Sequence, residues 1–137
     1  MKNNIQFELV SPEKKLVSEP VYLATLPATD GEMGVGAGHS SYVVSLNAGV
    51  VELYASADDK DTRRIFIAGG FADITNDNCT ILAEQAVNVS ELNADELSQE
   101  LETLQSDLKL AVEEADQRRL SRKIDLVEAK LQAVQAV

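Results

Sequence analysis

The sequence predicts a mostly β protein with an α-helical end: an antiparallel β-sandwich or flattened barrel of about ten short strands, then a two-helix antiparallel hairpin. Three observations lead there. Up to residue 89, short apolar runs alternate with turn residues every few positions. From Asn93 onward there is neither glycine nor proline. In that last third, leucines recur at spacings of three and four, the mark of one apolar stripe on a helix. The expected domains are 1–89, a sandwich, and 90–137, a helical hairpin.

The strands read in order as follows. Ile5, Phe7 and Leu9 alternate with Gln6 and Glu8, which gives a strand with one buried face. Ser11-Pro12-Glu13 turns the chain, because proline presets the turn dihedral and lacks an amide donor. Lys15-Leu16-Val17 is a short strand. Glu19-Pro20 opens another, Val21 to Leu26, apolar on both faces and therefore central. Tyr42 to Leu46 follows a glycine-rich stretch, and Asn47-Ala48-Gly49 turns it into Val50 to Tyr54. Asp58-Asp59-Lys60-Asp61 is a charged tip. Arg63 to Ala68, a Gly69-Gly70 break, Phe71 to Ile74, an Asn76-Asp77-Asn78 turn and Cys79 to Ala83 complete the pattern, with Val87 and Val89 closing the set.

The helical part begins with an N-cap at Asn93, where Glu96 completes a capping box and Leu92 and Leu97 form a hydrophobic staple. Leu97, Leu101, Leu104 and Leu108 make the first stripe. Leu120, Ile124, Val127, Leu131 and Val134 make a second in a different phase. The break falls between Ala111 and Asp116, and Asp116 is the expected cap of the second helix. Charge divides between the two: seven Asp and Glu against Lys109 from Asn93 to Ala115, then Arg118, Arg119, Arg122, Lys123 and Lys130 against three acids. Two compatible readings follow. The helices attract one another through exposed pairs, or Arg118, Arg119, Arg122 and Lys123 form a patch for an acidic partner.

Composition narrows the function. The chain of 137 residues carries a net charge of −11, which argues against nucleic acid, whose phosphates need clustered Lys and Arg. Cys79 is alone, so an internal disulfide or a cysteine-rich metal site is excluded; it reads as a buried strand residue. The N-terminal residues show no signal core, and no apolar run has the length of a membrane span. A soluble, cytoplasmic protein that meets a membrane only through a partner is expected.

The stretch Pro27 to Ser40 holds four of the seven glycines and the only histidine. It lacks the spacing of a P-loop, and no lysine follows its glycines. Gly34-x-Gly36-x-Gly38 is not the dinucleotide fingerprint, and it leads into a strand rather than a helix. His39 is the one group suited to proton transfer near neutral pH, but nothing in the sequence supplies an oriented acid or an oxyanion hole. A structural histidine bonding across the loop is the simpler expectation. Asp30 and Glu32 are too generic a pair to hold a metal with His39. Asp73, Asp77 and the aspartates at 58, 59 and 61 read as solvated loop tips.

The combination is more specific than its parts. Thr29-Asp30-Gly31-Glu32-Met33-Gly34-Val35-Gly36-Ala37-Gly38-His39-Ser40 is followed by Leu46-Asn47-Ala48-Gly49, Phe66-Ile67-Ala68-Gly69-Gly70-Phe71-Ala72 and Thr80-Ile81-Leu82-Ala83-Glu84, all ahead of a capped hairpin. This resembles the epsilon subunit of F-type ATP synthase, over essentially the whole chain and most strongly in the sandwich. The resemblance implies a non-catalytic subunit of the central rotor, without cofactor or metal. It couples proton flow through the c-ring to ATP synthesis, at the cytoplasmic face of the bacterial inner membrane. The sandwich would bind the gamma subunit and rest on the c-ring, with Gly31, Glu32, Met33, Gly34 and His39 in the loop that faces the ring. The hairpin would be a mobile regulator that reaches the alpha and beta subunits and inhibits ATP hydrolysis. Arg118, Arg119, Arg122 and Lys123 would meet an acidic segment of beta. Two rivals remain: a stand-alone sandwich adaptor with a self-associating hairpin, and an enzyme built on His39.

One departure matters. Relatives that sense ATP carry an aliphatic-Asp-x-x-Arg-Ala run at the start of the first helix. Here the Asp position is Asn93, the Arg position Glu96 and the Ala position Leu97. Reversing the charge at the arginine removes a phosphate partner and adds repulsion. Calorimetric titration with ATP is therefore expected to show no micromolar binding to the isolated chain; such binding would overturn this.

Overall fold

The computed structural model describes residues 4–13, 15–57 and 63–135, and the charged tip read at 58–61 lies outside them. The chain divides into two compact units between Asn88 and Val89. The first holds β1 (Ile5–Val10), β2 (Lys15–Val21), β3 (Leu23–Ala28), β4 (Gly31–Gly36), β5 (Tyr42–Leu46), β6 (Gly49–Tyr54), β7 (Arg63–Ile67), β8 (Gly70–Ile74), β9 (Asn78–Ala83) and β10 (Ala86–Asn88). They form one sheet in the order β10-β7-β6-β3-β5-β8-β9-β1-β2, with β4 added to β3. All pairs are antiparallel except β1 with β9, which run parallel. The alternation read in β1 is real: Ile5, Phe7 and Leu9 are fully buried. They join Leu26, Val35, Val51, Ile65, Ile67, Ile74, Cys79 and Ile81 in one apolar core.

Three boundaries differ from the sequence reading. Pro20 does not open a strand; it lies within β2, opposite Gln6 of β1, and the break comes at Tyr22. Since β2 ends the sheet, the missing amide costs no ladder bond on its outer side. The central strand is β3, as expected, but without Val21. Val89 belongs not to a strand but to a 3₁₀ turn, Val89–Glu91.

The Gly69-Gly70 break is a genuine backbone requirement. Gly69 and Gly70 have φ of +117° and +151°, a region L-residues rarely enter. Gly70 also sits opposite Ala83, where a Cβ would run into the carbonyl oxygen of Leu82.

In the second unit, helix α1 (Ala94–Leu110) packs on helix α2 (Glu114–Gln135). Asn93 caps α1: its side-chain oxygen accepts from the Glu96 N–H at 3.1 Å. Leu97, Leu104, Leu120, Ile124 and Val127 are buried in the seam, with Leu92, Leu101, Leu108, Leu131 and Val134 packed around them. Both stripes are thus as read. Asp116 is not the cap of α2, because the helix has already begun at Glu114; it lies in the first turn, where a carboxylate still favours the helix N-terminus. Gln117 helps to close the connection by donating from Nε2 to the Ala111 carbonyl at 3.0 Å.

Replacing Gly70 with Ala is expected to destabilise the sandwich by ~3 kcal/mol or more, since both φ and the Leu82 carbonyl oppose a Cβ. Urea unfolding followed by circular dichroism measures this; a loss under about 1 kcal/mol would contradict the steric account.

Candidate functional site

The glycine-rich stretch is not one loop. Gly31, Glu32, Met33 and Gly34 belong to β4, which pairs with β3 from Ala28↔Gly31 to Leu23↔Gly36. Thr29 and Asp30 make the hairpin tip, and Gly31 follows at φ +126°. Only His39 lies in a loop. The physical reason is that glycine lowers strand propensity without forbidding a strand, and Met33 and Val35 supply the inward alternation: Val35 is fully buried and Met33 packs against the core. Glu32 and Gly34 are exposed.

The strand therefore separates the predicted site residues. Glu32 stands beside the Thr29-Asp30 tip, whereas His39 lies beyond the far end of β4, a span of ~15 Å at strand rise. They cannot share a proton or a ligand. Nor, among the described residues, does the His39 ring bond across the loop: its Nδ1 faces the carbonyl of the adjacent Ser40 at 2.7 Å. A carbonyl only accepts, so Nδ1 is the donor in this contact. Gly38, at φ +81°, holds this segment by donating its N–H to the Asn76 carbonyl at 2.9 Å. Among the described residues no group of His, Cys, Asp or Glu is arranged to hold a metal ion.

A second surface was missed in the sequence. On the outward side of β5, β8 and β9, Val43, Phe71 and Leu82 are 67%, 58% and 57% exposed. Phe71 lies directly opposite Leu82, and Leu82 opposite Val10 of β1, so they form one row across three strands. Beside this row a shallow depression of ≈ 480 Å³ is lined by Val10, Pro12, Phe71 and Leu82, with Glu84 at its edge. The signal was present: the runs Tyr42 to Leu46 and Cys79 to Ala83 carry apolar residues at both parities, which a half-solvated strand does not need. Asp73 is on this face too. It is not at a loop tip but within β8, opposite Thr80.

Arg118, Arg119, Arg122 and Lys123 of α2 are all exposed. At about 100° per residue, Arg118 and Arg122 point away from the leucine seam while Arg119 and Lys123 lie on one flank. Arg118 and Arg122 border a groove of ≈ 470 Å³ with Glu114, Gln117, Ser121 and Asp125. Arg119 pairs with Asp116 at 3.6 Å, one turn away on the same helix. Arg118, Arg122 and Lys123 make no ion pair among the described residues, and none joins α1 to α2 there. The helices are held by their apolar seam rather than by exposed opposite charges. The degenerate ATP-run positions are occupied structurally: Asn93 caps the helix and Leu97 is buried in the seam.

Residues 4–89 match the family model described as ATP synthase, Delta/Epsilon chain, beta-sandwich domain. The chain belongs to the ATP synthase epsilon-chain family. An epsilon chain of Rhodospirillum centenum is 36% identical over 137 residues, covering 98% of this chain and 94% of the relative. One from Rhizobium etli is 42% identical over 120 residues, covering 88% and 87%. Among solved structures, a chain of the cryo-EM structure of Euglena gracilis mitochondrial ATP synthase, OSCP/F1/c-ring in rotational state 1, superposes with a TM-score of 0.82 at 26% identity. That match covers 98% of this chain and 83% of the other. A chain of the Tetrahymena thermophila mitochondrial ATP synthase central stalk/c-ring shares the fold, with a TM-score of 0.67 at 13% identity over 97% and 98% of the two chains. Family membership makes this a non-catalytic central-stalk subunit of the ATP synthase complex. No helix among the described residues is long and apolar enough to cross a membrane.

Cys79 lies under the apolar face. Burial, and secondarily the charge of Asp73, push its thiol pKa from 9.0 up to about 12. The native thiol thus stays neutral to higher pH than the unfolded one. Its contribution to stability is complete below about 9 and is lost as pH rises toward about 12. Iodoacetamide at pH 8 should leave the folded chain unmodified and alkylate it in urea; rapid native alkylation would contradict the burial.

Proposed function

We propose that this stalk subunit docks on the gamma subunit through the outward face of β5, β8 and β9, and presents the Asp30–Glu32 tip to the polar loops of the c-ring. It thereby helps to couple proton flow to ATP synthesis at the cytoplasmic face of a bacterial inner membrane. The observation that carries the docking is the row Val10, Leu82 and Phe71 beside its depression. A contiguous apolar patch on a chain of net charge −11 serves an interface rather than solubility. The tip offers two carboxylates and no cation, which suits a ring surface bearing Lys or Arg. Gly31, Met33 and Gly34 support this tip from β4, and His39 lies beyond the opposite end of the strand.

The hairpin, 90–137, is the regulatory part of the proposal. Arg118, Arg122 and Lys123, free of ion pairs among the described residues, would meet an acidic segment of beta and restrain rotation during ATP hydrolysis. The chain works here without a nucleotide of its own.

The test is reconstitution. Phe71→Asp with Leu82→Asp, both at exposed positions, should leave the circular dichroism spectrum unchanged and lower affinity for gamma by ~100-fold or more, as charges in an apolar interface do. Unaltered co-purification would rule out this face. In the same assay, a chain lacking 90–137 should give faster ATP hydrolysis by the assembled head; an equal rate would exclude the brake.

A further inference from the structure

Among the described residues β4 pairs with β3 alone, so one edge of this six-residue strand is without a partner. The other strands that end the sheet are guarded. β10 has three residues. β2 contains Pro20, and its inward-parity Glu19 is engaged by Arg63 at 3.5 Å; proline and inward charges are the usual defences of an edge. β4 has neither. It contains no proline and no lysine, its one charge is Glu32 at the tip end, and its residues pair with β3 in unbroken register. Two of its three outward-facing positions, Gly34 and Gly36, carry no side chain. At Gly34 a Cβ would meet only Leu23 Cδ1, at 3.5 Å, so little side chain stands in the way of an approaching backbone. The available length is defined at both ends, by the Thr29-Asp30 tip and by the turn in which the His39 N–H donates to the Gly36 carbonyl at 3.3 Å.

We infer that β4 accepts, as an added β-strand, an extended segment of the same partner that meets the Asp30–Glu32 tip, with that partner's Lys or Arg beside Asp30 and Glu32. Backbone hydrogen bonds along residues 31–36 supply the attachment, and the charge beside Glu32 sets the register. The occupant is not a second copy of this chain: each copy carries a net charge of −11, and two would repel as they approached. The inference rests on the reading of the chain as a docked stalk subunit, but it concerns a different surface from the Phe71–Leu82 row.

Residue-resolved hydrogen exchange separates the two. It compares the isolated chain with the same chain inside the assembled ATP synthase. In the isolated chain, the amides of residues 31–36 that point away from β3 should exchange rapidly, while those bonded to β3 are protected. In the assembly those rapid amides should slow by at least tenfold, and amides on the outer edge of β2 should not change. Unchanged exchange in 31–36, with the chain demonstrably present in the complex, overturns the added strand and leaves the docking reading intact. Conversely, slowing in 31–36 in a complex that forms equally well with Phe71→Asp and Leu82→Asp supports the added strand and removes the apolar face.

Discussion

Strand β3 is hydrogen-bonded along both of its edges, and the rest of the sandwich hangs from it. One edge takes β4 along its full length. The other takes β6 beside Leu23, Ala24 and Thr25, then β5 beside Ala28. The change of partner is made possible at Pro27, whose ring lies where only Gly49 leaves room, since a Cβ there would come within 2.9 Å of it. The carbonyl of Pro27 accepts from the Asn47 N–H at 2.8 Å, so the turn between β5 and β6 is tied to the same residue. One strand thereby leads from one half of the sheet to the other, and its inward residues Ala24, Leu26 and Ala28 sit in the common core.

The two candidate surfaces of this unit follow from that arrangement. The free edge of β4 exists because β3 has already given its other edge to β5 and β6. The apolar face exists because β5, β8 and β9 are central strands whose inner faces are satisfied by the core, leaving Val43, Phe71 and Leu82 more than half exposed on the other side. Transferring such side chains from water is worth roughly 1.5–3 kcal/mol each when complete. The surrounding acids cannot offset that exposure, so the gain is available to a partner. Asp73 on the same face and Glu84 beside the depression add negative charge to this surface.

The second unit divides its residues differently. Cohesion resides in the seam of Leu97, Leu104, Leu120, Ile124 and Val127. Exposed ion pairs such as Arg119–Asp116 add only a few tenths of a kcal/mol. Because the seam suffices, the cations on the outward side of α2 are not spent on holding the hairpin together. The exposed side of α1 is acidic, whereas α2 interleaves its cations with Glu114, Asp116, Asp125 and Glu128.

The sequence by itself determined what depends on local periodicity and backbone chemistry. Ile5, Phe7 and Leu9 faced inward because alternation has a period of two. Asn93 capped α1 because its side chain reaches an amide three residues on, and both leucine stripes met because their spacing allows nothing else. The family was legible as well, since the segments around Gly31, Gly69-Gly70 and Leu82 stand in a fixed order. Tertiary structure decided the rest. Whether Pro20 starts a strand or lies within one depends on β2 being an edge, and that is fixed by which strands pair. Whether Glu32 and His39 share a site depends on the segment between them being strand, a matter settled by pairing with β3 rather than by glycine content. The exposure of Phe71 and Leu82 and the open side of β4 depend on which neighbours a strand has and which it lacks. No local pattern encodes that, because it is a property of the assembled sheet.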